Sequence, residues 1–112
     1  FRKNPIVQSY VKGLGTCEDL VPSAIRETET NEPLINWHST EGSEALAAVR
    51  ATSGWAAYAS DRSMRRYSRI LRDTEGVTVL PAATAGLIAL LDGKPEESIQ
   101  NDRFVAVLTG RR

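Results

Sequence analysis

A chain of 112 residues suits one domain and can bury a modest hydrophobic core. Fourteen Lys and Arg residues balance fourteen Asp and Glu, so net charge gives no warrant for a nucleic-acid or membrane partner. The single cysteine, Cys17, excludes an internal disulfide and fits a reducing, cytoplasmic setting, and the longest apolar run is far too short to span a bilayer. No secretory signal is visible at the start. The chain opens on Phe1 and stops at Arg112, which suggests a partial product.

In chain order, Pro5-Ile-Val-Gln-Ser-Tyr-Val reads as a short helix with Ile6, Val7, Tyr10 and Val11 on one face, closed by Gly13 and Gly15. Asp19 or Ser23 offers a cap for a second short helix through Ala24 and Ile25. Glu27 to Pro33 is polar and acidic and reads as a loop. Ser39 or Thr40 is the expected N-cap of a helix with Ala45, Leu46 and Val49 buried, ended by Ser53-Gly54. Trp55 to Ala59 is a short strand candidate. Ser60-Asp61 then caps the clearest amphipathic helix, Arg62 to Asp73. Met64, Tyr67, Ile70 and Leu71 face inward there, and Arg62, Arg65, Arg66, Arg69 and Arg72 face out.

Val77-Thr-Val is a short strand or link into a helix opened by Pro81, whose ring suits a first helical turn. From Ala82 to Leu91 no residue is charged, so that helix expects cover on all sides. Asp92-Gly93 ends it, with Gly93 able to take the left-handed C′ position, and Pro95 blocks continuation. Lys94 to Asp102 is a charged connection. Phe104 to Leu108 is a continuous apolar run, which fits a strand buried on both faces of a parallel sheet. The expected fold is therefore α/β, a small parallel sheet flanked by helices in one domain. In such sheets ligands lie beyond the carboxyl ends of the strands, where Thr109 and Gly110 stand.

Most catalytic motifs are absent: no Walker loop, no GxGxxG and no cysteine pair for zinc. His38 is the only histidine, and no nucleophile-elbow pattern surrounds any serine. A turn-packing role fits it better than catalysis. The arginines of residues 62–72 read as a solvated helix face, offset by Asp61, Asp73 and Glu75, and Glu27, Glu29 and Glu32 as a solvated acidic loop.

Glu75-Gly76, then Pro81-Ala82-Ala83-Thr84-Ala85-Gly86-Leu87, then Val105-Ala106-Val107-Leu108-Thr109-Gly110 resemble the closing segment of threonine synthase. That is a pyridoxal-phosphate (PLP) enzyme of the fold type II group. Pro5-Ile6-Val7 with Gly13, Ala24-Ile25, Pro33, Asn36-Trp37, Ser53-Gly54 and Ser60-Asp61 resemble earlier landmarks of the family's last third, in the same order. No single piece is specific; the ordered series is.

The resemblance implies that the Thr109 hydroxyl faces the pyridine nitrogen, with Gly110 and Glu75 near the cofactor ring. Such a hydroxyl tunes the ring's electronics while the cofactor carries the chemistry. Ala83 departs from the serine of many relatives, and Arg112 from a second glycine. The family also needs a Schiff-base lysine and a glycine-rich phosphate loop. Lys3, Lys12 and Lys94 lack the expected setting, and no such loop exists. The chain is thus expected to be a C-terminal fragment of a threonine-synthase-like lyase, inactive alone. It is expected to be completed by an N-terminal PLP-binding part or to form a homo-oligomer. The alternative is a stand-alone oligomerisation or small-ligand-binding module derived from that fold.

Overall fold

The computed structural model describes residues 4–110. The chain divides into two compact units, Phe1–Tyr58 and Ala59–Arg112, each with its own interior.

In the first unit, helix α1 spans Pro5–Val11 and α2 spans Gly42–Ala51. The Asn4 side chain starts α1 by accepting from the Ile6 and Val7 amides at 2.9 and 3.2 Å, and Pro5 takes the first helical position. Both devices answer the unpaired N–H groups of a first turn. The face that α1 buries is Pro5 and Ser9, while Val11 is exposed. Ser9 is sealed because its hydroxyl accepts the Glu18 amide at 2.9 Å, which meets the demand of a buried polar group. Leu46 is the fully buried side chain of α2. Its removal from water is worth about 1.5–3 kcal/mol.

Arg50, near the end of α2, donates to the Leu14 carbonyl at 2.6 Å and lies over the Tyr10 ring. Neither Ser39 nor Thr40 caps α2; Glu41 holds that position without a side-chain bond. Between the helices, short 3₁₀ turns at Pro22–Ala24 and Glu32–Leu34 replace the expected second helix.

In the second unit, α3 spans Asp61–Glu75, capped by the Ser60 hydroxyl on the Ser63 amide at 3.1 Å. Gly76 closes it at φ +67°, the left-handed conformation that glycine adopts without a side-chain penalty. Met64 is buried, Tyr67 and Leu71 are half-buried, and the five arginines are exposed. Pro81–Thr84 is a 3₁₀ turn, and only at Ala85 does the chain become α-helical, as α4, Ala85–Gly93. Met64, Ala82 and Ile88 form the core, with Ala59, Tyr67 and Ala85 packed against it. Thr84 is also fully buried; its hydroxyl donates to the Pro81 carbonyl at 2.7 Å, and the Met64 carbonyl lies at 3.4 Å. A last short helix, α5, spans Glu96–Asn101.

The α/β expectation is overturned: among the described residues the elements are helices and 3₁₀ turns, and there is no sheet. Phe104–Leu108 carries no regular secondary structure and is no strand of a sheet, and neither Trp55–Ala59 nor Val77–Val79 forms one; Val79 makes only an isolated bridge. A strand exists through its neighbour's hydrogen bonds about 4.8 Å away, and an apolar run does not supply that neighbour. Far from being buried on both faces, the segment exposes Val105 by 89% and Val107 by 69%. Ala106, Leu108 and Gly110 are half-buried, so exposure alternates along the segment. The expected all-round burial of Ala82–Leu91 is also corrected. Ala82, Ala83, Thr84 and Ile88 are buried, Leu87 and Leu90 are half-buried, and Gly86 and Leu91 are exposed. Gly93 is the last residue of α4, outside the left-handed region.

Candidate functional site

The three residues singled out by resemblance all lie in the second unit. Gly110 is the best anchored. Its carbonyl accepts the Leu80 amide at 3.2 Å, which brings the end of the segment that follows α5 back onto the turn that opens at Pro81. A β-carbon built on Gly110 would stand 3.1 Å from Leu80 Cδ1, 3.3 Å from Leu80 Cβ and 3.5 Å from Ala83 Cβ. Glycine thus lets two backbone segments approach more closely than a side chain would allow. Thr109, next to this contact, is exposed.

Glu75 is placed differently. It is the last residue of α3, exposed, and its carboxylate shares no hydrogen bond or ion pair with Thr109 or Gly110 among the described residues. The structure therefore joins Gly110 to the Leu80–Ala83 turn and leaves Glu75 outside that contact. Ala83 is buried beneath Gly110. Arg112 and Lys3 lie outside the described residues.

Pyridoxal phosphate can be tested against these side chains. One fitting feature is present: an exposed hydroxyl, Thr109, beside a backbone position fixed by Gly110. The remaining requirements are not met. The close approach that Gly110 permits is filled by Leu80 and Ala83, so it is a packing contact and not a ligand cradle. Lys12 is exposed at the end of α1 in the other unit, and Lys94 follows α4. The second unit has no glycine-rich loop to hold a phosphate. The described residues do not make a complete site for the cofactor.

Elsewhere, His38 is half-exposed and its Nδ1 lies 2.7 Å from Asp19 Oδ1, a pairing that sequence spacing did not signal. No serine stands beside this pair among the hydrogen bonds of the described residues, so the geometry is that of a surface link. Arg72 and Asp73 form a second surface pair, of the kind that contributes little. Among the described residues no three His, Cys, Asp or Glu side chains come together to hold a metal ion. No described helix is long and apolar enough to cross a membrane. A cleft of about 370 Å³ opens in the first unit, lined by Pro22, Ile25, Glu27, Ile35, Asn36 and Trp37. Sequence reasoning missed it because its walls come from separate turns. The one available signal was a tryptophan in a polar loop region.

Comparison with protein-family models, with curated proteins and with solved structures found no match for this chain.

Proposed function

We infer that the chain is a C-terminal portion of a threonine-synthase-like lyase and contributes one wall of a pyridoxal-phosphate pocket without being active alone. The supporting observation is the return of Gly110 onto Leu80 and Ala83. It joins two of the three sequence blocks that carry the resemblance, the one opening at Pro81 and the one ending in Thr109-Gly110. When bound, PLP supplies the electron sink for elimination and replacement chemistry. In this reading the exposed Thr109 hydroxyl would be the neutral group offered to the ring nitrogen once the missing part supplied the rest of the site. Gly110, pinned by the Leu80 amide, fixes the backbone from which that hydroxyl projects. Covalent attachment and phosphate binding fall to a separately supplied N-terminal part, or the chain self-associates through apolar surface that its own helices leave uncovered.

Adding PLP to the purified chain should give no cofactor absorbance that survives dialysis. A retained band that disappears when Lys3, Lys12 or Lys94 is replaced would show a complete site and contradict the reading. The coding sequence directly upstream offers a second check: it should encode the missing lysine and a glycine-rich phosphate loop. An unrelated upstream frame would argue instead for a stand-alone module.

A further inference from the structure

The cleft around Trp37 is independent of the contact at Gly110 and lies wholly within the first unit. Its construction is fixed at several points. The Trp37 carbonyl accepts the Leu20 amide at 2.8 Å, and the neighbouring His38 ring is held by Asp19. The Asn36 side chain accepts the His38 amide at 3.2 Å, so its oxygen is committed to the loop. The Pro22–Ala24 turn and the residue that follows it bring Pro22 and Ile25 to the lining. The loop carrying Glu27 is tied by Asn31, which is buried. Its side-chain oxygen takes the Thr28 amide at 2.7 Å, and its own amide donates to the Thr28 hydroxyl at 3.2 Å. Neither wall is a free loop.

The lining is chemically selective. Pro22, Ile25 and Ile35 are apolar, Trp37 is 47% exposed, and Glu27 supplies the only charge on the lining. From Val21 to Trp37 the chain carries Glu27, Glu29 and Glu32 against Arg26, an excess of acidic residues in this stretch. A half-exposed indole and a single carboxylate on one lining attract an organic cation, because the ring quadrupole and the carboxylate act with the same sign. An anion meets like charge there, and a neutral apolar molecule leaves the carboxylate without a partner. The volume lies at the low end of small-ligand pockets, which suits one compact head group.

We propose that the Trp37 cleft binds a small organic ammonium cation, with the indole over the cationic head and Glu27 beside it. The test titrates the full chain with choline and, separately, with 3,3-dimethylbutan-1-ol, its uncharged isostere. The two indole N–H resonances are followed by NMR and assigned with Trp37→Phe. Choline should move the Trp37 signal saturably and leave Trp55 in place, while the neutral isostere should bind about tenfold more weakly. Glu27→Gln, on an exposed loop outside the core, should keep the fold and weaken choline about fivefold. Equal binding of choline and its isostere, an unchanged affinity in Glu27→Gln, or no saturation of the Trp37 signal would each overturn the proposal.

Discussion

Single residues show how unevenly glycine is used in this chain. Gly76 closes α3 at φ +67° with no atom near its missing β-carbon. Its constraint is purely the backbone's. Gly42 is the reverse: a β-carbon there would meet Cys17 Sγ at 2.6 Å, Cys17 Cβ at 2.9 Å and Ser39 Cβ at 3.0 Å. Gly76→Ala should therefore cost about 1 kcal/mol, the penalty of a left-handed alanine. Gly42→Ala should cost about 1–3 kcal/mol through overpacking. Urea denaturation separates the two, because Gly76→Asn should recover part of the loss while no side chain rescues position 42. A stable, unperturbed Gly42→Ala variant would contradict the packing described around Cys17.

Elements were legible where local chemistry decides them. Ser60, the 3.6-residue spacing of Met64, Tyr67 and Leu71, and Gly76 together define α3 within a short stretch, but Ile70, expected on the inward face, is exposed. Ser60→Ala should cost about 1 kcal/mol by leaving a first-turn amide without its partner. Thermal unfolding followed by circular dichroism would register this, and an unchanged midpoint would show that water caps the helix equally well. Phe104–Leu108 was not legible, because a continuous apolar run fits a buried strand or an extended segment equally well. What distinguishes them is a neighbour elsewhere in the chain, and Val105 and Val107 have none covering them among the described residues. The start at Pro81 was read correctly in kind, but the opening turn is 3₁₀, with Thr84 folding its hydroxyl back onto the Pro81 carbonyl. Gly110 reaching Leu80 depends on a return across thirty residues that no spacing rule encodes. The Trp37 cleft needs three turns to meet and was equally invisible.

At the scale of the whole molecule, the uncovered apolar surface is the largest physical fact. Leu91 on α4 and Val105 and Val107 on the segment that follows α5 remain exposed, and burying one such side chain is worth about 1.5–3 kcal/mol. Self-association is the expected consequence. Sedimentation equilibrium should give a mass above 12.3 kDa that rises with concentration. Val105→Lys together with Val107→Lys should lower it. A monomer at high concentration in the unmodified chain would show that these side chains are tolerated singly in water.

The most direct measurement joins this chain to the polypeptide encoded immediately upstream and records the cofactor absorbance of the purified protein with Thr109 intact and with Thr109→Val. A hydroxyl beside the pyridine nitrogen sets the ring's electronics, so the valine variant should retain PLP but shift its absorbance and lose most lyase activity. An unchanged spectrum and unchanged turnover in Thr109→Val, or a joined protein that retains no PLP, would contradict the assignment of this chain to the wall of that pocket.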